Sequence, residues 1–123
     1  MSSSKHFSED ELRCKCGCGD NLTQPELLEA LELLRVAYGS PMVVTSGYRC
    51  RTYNDLIVKG NPNSAHKRGL AVDIGVSDSS DRYRLLWHAM NLNIFQGIGV
   101  ANNFIHLDIK MRFSKVQVLF TYK

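Results

Sequence analysis

Residues 63–73 read Asn63-Ser64-Ala65-His66-Lys67-Arg68-Gly69-Leu70-Ala71-Val72-Asp73, and the fold turns on this run. It opens in turn-forming residues, passes a glycine and ends in an apolar stretch. A loop carrying His66 therefore gives way at Gly69-Leu70 to a strand, expected over Leu70 to Val76, that carries Asp73. The two residues are too far apart in sequence for neighbouring positions on one strand or one helical turn. A second imidazole lies in Phe104-Ile105-His106-Leu107-Asp108, on a strand expected over Phe104 to Lys110 beside the first. Two imidazoles and one carboxylate are the set that holds a catalytic zinc, with a fourth position open to water. Water on such a zinc titrates near neutrality and becomes a nucleophile.

Outward from this centre the elements fall into place. Phe7-Ser8-Glu9-Asp10-Glu11-Leu12 carries a capping box, Ser8 with Glu11, and a staple between Phe7 and Leu12. Leu22-Thr23-Gln24-Pro25-Glu26-Leu27 is expected to repeat the device, with Thr23 as cap. It opens a helix to about Tyr38, with Leu27, Leu31 and Leu34 inward and Glu26, Glu29 and Glu32 toward water, stopped by Gly39. Pro41 to Ser46 reads as a strand delivering Arg49 to its end, followed by a short helix around Tyr53 to Val58 and a turn at Gly60-Asn61-Pro62-Asn63. A further helix is expected from Asp78 to Leu92, with Tyr83, Leu86 and Met90 inward and Trp87 packed. Ile98 to Val100, Phe104 to Lys110 and Val116 to Tyr122 complete an antiparallel set of strands. The class is α+β: a small antiparallel sheet carrying the zinc site, flanked by helices.

The 123 residues allow one domain, 1–123, with residues 1–6 as a flexible tail that includes His6. Hydrophobic residues at 44% and charged residues at 22% are ordinary for a soluble globular chain. A net charge of +3, without a Lys/Arg run or an aromatic platform, does not point to nucleic acid. Nothing approaches a transmembrane length, and Met1 to His6 lacks the apolar core of a signal peptide. Synthesis in the cytoplasm and a monomeric state are the expectations.

Thr45-Ser46-Gly47-Tyr48-Arg49 with Asn54, the S-x-H-x-x-G-x-A-x-D run from Ser64 to Asp73, Gly97-Ile98-Gly99 and His106-x-Asp108 occur in order. Together, from about Phe7 to Tyr122, they resemble the zinc D-Ala-D-Ala carboxypeptidase family. That family includes the vancomycin-resistance dipeptidases and phage endolysin peptidases, and shares its metal site with the Hedgehog signalling domain. The resemblance implies a Hedgehog/DD-peptidase-like fold and one catalytic zinc on His66, Asp73 and His106. It implies hydrolysis of a bond beside a D-amino acid in peptidoglycan stem peptides. Arg49 matches the arginine that polarises the scissile carbonyl or holds a carboxylate, tasks suited to its fixed charge and paired donors. Ser64 matches a serine near the substrate, or else closes a local turn. Asp108 faces the same way as His106 and is a catalytic candidate or a carboxylate that orients the imidazole.

One departure stands out. Active relatives place an acidic base three residues before the last histidine ligand, or as D-x-H, and here that position is Asn103. An amide accepts no proton at neutral pH. A binding module that holds cell-wall peptide or a protein partner without turnover is therefore the alternative, and a structural part of a phage particle is a third. The resemblance also implies a phage-type lysis context, with access to the wall after release. Cys14, Cys16, Cys18 and Cys50 lack the usual C-x-x-C spacing. Reduced packed thiols, one or two disulfides, and a second structural zinc all remain open for them.

Overall fold

Helix α1 (Glu9–Leu12) begins where its capping box places it. The Ser8 hydroxyl accepts the Glu11 N–H at 3.2 Å while the Glu11 carboxylate accepts the Ser8 N–H at 3.0 Å. Phe7 and Leu12, on either side of the cap, are both buried, as a hydrophobic staple requires. The computed structural model describes residues 3–60, 64–109 and 116–122. The expected turn at residues 60–63 lies largely outside the described residues, as does Lys110 at the end of an expected strand.

Helix α2 (Pro25–Tyr38) buries Leu27, Leu31 and Leu34 completely, as its stripe predicts, and ends at Gly39. Its start differs from expectation. Pro25 takes the first helical position, so Gln24 and not Thr23 is the cap, and no side chain caps the helix. The Thr23 hydroxyl instead donates to Asn21 Oδ1 at 2.6 Å, and the Gln24 N–H donates to the Gly69 carbonyl at 2.8 Å. Glu32 also departs from the solvent face. It accepts from Ser4 Oγ and pairs with His6 Nδ1, both at 2.6 Å, joining residues 4–6 to the helix.

Helix α3 (Ser79–Leu92) is capped by Asp78, whose carboxylate accepts the Asp81 N–H at 2.9 Å. Its inward residues are Leu85 and Ala89, with Leu86 and Leu92 partly buried. Tyr83 and Met90, expected inside, are 71% and 51% exposed, and Trp87 is 50% exposed, edge-on to His88. The reason lies in the contact with α2. Arg84 donates to the Tyr38 carbonyl at 2.6 Å and stacks over the Tyr38 ring at 4.1 Å, which rotates small Ala89 rather than large Met90 toward the core.

Five strands form one sheet: β1 (Val43–Ser46), β2 (Ala71–Gly75), β3 (Gly97–Val100), β4 (Phe104–Asp108) and β5 (Val118–Thr121), in the order β1-β2-β4-β3-β5. All neighbours are antiparallel except β3 and β5, which are parallel, against the expectation for the last strand. The chain does reverse after β4, as a hairpin would. But β3 already fills the place beside β4, so β5 takes the next place and runs with β3. Period-two alternation then divides the sheet. Val72, Ile74, Ile98, Ile105 and Leu107 are buried in one core with residues of α2 and α3. Asp73, His106 and Asp108 alternate with them and share the opposite face with Gly97 and Gly99. Each fully buried Leu or Ile on the first face contributes about 1.5–3 kcal/mol, and this fixes the register that sets the second face. Among the described residues no helix is long and apolar enough to cross a membrane.

Candidate metal centre

His66 reaches the site from a short 3-10 turn, Ala65–Arg68. The Ser64 hydroxyl caps this turn by accepting the His66 N–H at 3.2 Å, so the local-turn reading of Ser64 describes what it does here. Gly69 closes the turn in the left-handed region at φ 70°, where an added Cβ would stand 1.9 Å from the Leu22 carbonyl oxygen. The chain then enters β2 and delivers Asp73, directly opposite His106 of β4. The loop-then-strand reading, over residues 64–73, and the neighbouring strand for His106 both describe this arrangement.

The hydrogen bonds around the two rings settle which nitrogens face inward. His66 Nδ1 is 2.8 Å from the Gly47 carbonyl, which can only accept, so this nitrogen carries the proton. Its Nε2 is buried, without a hydrogen-bond partner among the described residues, and points at Asp73 Oδ1 at 3.3 Å. A bare imidazole lone pair against a carboxylate oxygen is a contact and not a hydrogen bond. His106 faces a carboxylate on each side: Nε2 is 2.7 Å from Asp108 Oδ2, and Nδ1 is 3.1 Å from Asp73 Oδ1. Two ring nitrogens and a carboxylate oxygen thus converge, an arrangement that a cation or protons stabilise.

The spacing suits a metal. Ligand atoms about 2.0–2.1 Å from a tetrahedral zinc stand roughly 3.3–3.4 Å from one another. The contacts to Asp73 are 3.3 and 3.1 Å, and all three ligand atoms lie within 4.8 Å of one another. The residues present fit one zinc ion. Protons relieve the same convergence when no cation does. Burial would lower the His106 value, but its bonds to Asp108 and Asp73 outweigh burial and hold it up at about 8. Burial would likewise raise the Asp73 carboxyl, yet His106 and His66 hold it well below the usual carboxylate range.

Arg49 leaves β1 with its backbone N–H on the His66 carbonyl at 3.2 Å. Its Nε donates to Ser46 Oγ at 3.2 Å and its Nη1 to buried Asn54 Oδ1 at 3.1 Å, while Nη2 lies 3.5 Å from Asp73 Oδ2. The guanidinium therefore sits against the outer oxygen of the carboxylate whose inner oxygen faces both histidines. Asn54, noted five residues after Arg49 in the sequence, holds the arginine and comes from a turn of π-helix, Tyr53–Ile57.

Asn103 lies elsewhere. It is exposed at the turn before β4, where its carbonyl accepts the Val76 N–H at 2.9 Å.

Two segments noted in the sequence take roles at the site that were not read there. Gly97 and Gly99 leave room under the site, since a Cβ on Gly97 would stand 2.3 Å from Asp108 Oδ2 and one on Gly99 2.4 Å from the Phe120 ring. Phe120 and Tyr122 of the β5 segment wall the site. The Phe120 ring is 5.5 Å from that of His106, and Tyr122 packs on Phe104 at 4.9 Å. Burial and the nearby Asp73 push the Tyr122 hydroxyl up to about 12. The alternation Val118-x-Phe120-x-Tyr122 was the available signal. A cavity of about 800 Å³ along α2, with Leu28, Leu33 and Val36 in its lining, holds none of these groups.

An α+β domain with a buried His-Asp-His centre, one ring of which is backed by a carboxylate, is positioned to bind a metal ion. The family model of peptidase M15 matches residues 5–108, and the chain belongs to this family, within the zinc D-Ala-D-Ala carboxypeptidase superfamily. The match ends at Asp108, so the aromatic wall of β5 lies beyond it. No curated protein matches the chain.

Proposed function

We propose that this chain is a zinc peptidase that cleaves a peptide bond next to a D-amino acid in peptidoglycan stem peptides. The observation that carries the reading is the convergence of His66 Nε2, His106 Nδ1 and Asp73 Oδ1, with the Arg49 guanidinium beside them. The substrate class rests on the family.

His66, Asp73 and His106 would hold the ion, which supplies a Lewis acid and a water acidified toward neutrality. Gly47 and Asp108 fix the two imidazoles in the tautomers this requires. Asp108 therefore acts through His106, as a residue that orients a ligand. Arg49, braced by Ser46 and Asn54, presents a permanent positive charge where the scissile carbonyl or a terminal carboxylate would lie. Tyr122 keeps its proton through the neutral range and offers a donor at the rim of the site. Phe120 supplies an apolar wall for the D-side chain. A binding module without turnover is the second reading, because Asn103 stands where active relatives carry an acidic base.

The test is steady-state hydrolysis of a stem pentapeptide ending in two D-alanines. Arg49→Ala is expected to keep its zinc and lose about a hundredfold in kcat/KM, the scale of a lost charge-stabilising donor. Full zinc occupancy with no turnover by the wild type would favour the binding module instead.

A further inference from the structure

The four cysteines form a second cluster, away from the His-Asp-His centre. Spaced at alternate positions on an extended strand, Cys14, Cys16 and Cys18 would stand roughly 6.6 Å apart at each step. Here the segment curls, with Gly17 and Gly19 both at positive φ and the Cys14 N–H closing the loop on the Asp20 carbonyl at 2.9 Å. The result is that Cys14 Sγ lies 3.5 Å from Cys16 Sγ, which lies 3.6 Å from Cys50 Sγ. All four sulfurs lie within 4.8 Å of one another, although Cys50 comes from the far side of α2 and β1.

We propose that Cys14, Cys16, Cys18 and Cys50 bind a second metal ion, zinc, in a closed four-sulfur site that clamps the N-terminal loop to the segment carrying Arg49. Sulfurs about 2.3 Å from a tetrahedral zinc stand roughly 3.7–3.8 Å apart, close to the separations found. Any single disulfide would use two of the sulfurs and leave the other two in the same cluster. Backbone amides already point at three of them: Cys50 N–H at Cys14 Sγ (3.3 Å), Asp20 N–H at Cys18 Sγ (3.4 Å) and Tyr53 N–H at Cys50 Sγ (3.5 Å). Such donors favour sulfur that carries negative charge, as thiolates on a metal do. Each thiol gives up its proton as its bond to the metal forms. With four protein ligands there is no open position, so this site is structural, unlike the three-ligand centre. Its consequence is local to catalysis. Cys50 follows Arg49 directly, and the Tyr48 N–H donates to the Leu12 carbonyl at 2.8 Å, so the clamp holds both ends of the loop that presents the guanidinium.

This inference rests on the sulfurs alone and stands or falls apart from the peptidase reading. The experiment is metal analysis of the full chain purified without oxygen, followed by cobalt(II) substitution. The wild type is expected to hold two metal equivalents and to show intense near-ultraviolet thiolate-to-cobalt bands. His66→Ala should keep those bands and lose one equivalent, whereas Cys16→Ser with Cys18→Ser should lose the bands and keep the other. If the cysteine variant does not fold, the wild-type and His66→Ala spectra decide the matter. A wild type without thiolate-to-cobalt bands, or an intact mass showing disulfides in the anaerobic protein, would overturn the proposal.

Discussion

His106 Nε2 stands 2.7 Å from Asp108 Oδ2, and the carboxylate holds the ring so that Nδ1 faces Asp73. Both residues alternate onto one face of β4, which makes the pair a product of strand geometry. Asp108→Asn keeps the shape but removes the charge that raises the basicity of the imidazole. Zinc affinity at the His-Asp-His centre is expected to fall about 10–100-fold. Competition against a chelator of known affinity measures this, and an unchanged affinity would remove Asp108 from the account.

Gly97 faces Asp108 across the β3–β4 pair, and its missing Cβ is the space the carboxylate occupies. Gly97→Ala should therefore displace Asp108 and reproduce the loss of zinc affinity expected for Asp108→Asn. It should also cost about 1–3 kcal/mol of stability, the usual penalty of overpacking. Chelator competition and thermal unfolding of the same sample test both parts together.

Glu32 gives the N-terminal segment a pH signature. Burial would raise its carboxyl, but bonds from His6 and Ser4 hold it below the ordinary 4.5. A carboxyl with a depressed folded value contributes stability that is full above its unfolded value and is lost as pH falls through the folded one. Glu32→Gln should lower Tm at pH 6, and the gap from wild type should close as the pH is taken well below 4.5. A gap that persists in acid would mean that the carboxylate charge plays no part.

How far the sequence reaches can be judged from particular residues. His66, Asp73 and His106 were legible because few residue types ligate zinc and the loop-to-strand step at Gly69 is written in the chain. The stripe of α2 was legible because Leu27, Leu31 and Leu34 repeat at helical spacing. The inward face of α3 was not, because size suggested Tyr83 and Met90, while a tertiary contact, Arg84 on Tyr38, rotated the helix onto Ala89. Thr23 looked like a cap until Pro25 claimed the first turn. The direction of β5 depends on which place in the sheet is free, and no local pattern encodes that. The cysteines were ambiguous for the same reason: only the fold brings Cys50 to the other three.

The measurement that tests the central claim most directly is mass spectrometry of muropeptides after incubation with the zinc-loaded chain, with His106→Ala as the control. The account predicts new products, each shortened at a bond flanked by a D-amino acid, from the wild type and none from the variant. Intact muropeptides after incubation with wild type carrying zinc on His66, Asp73 and His106 would contradict it.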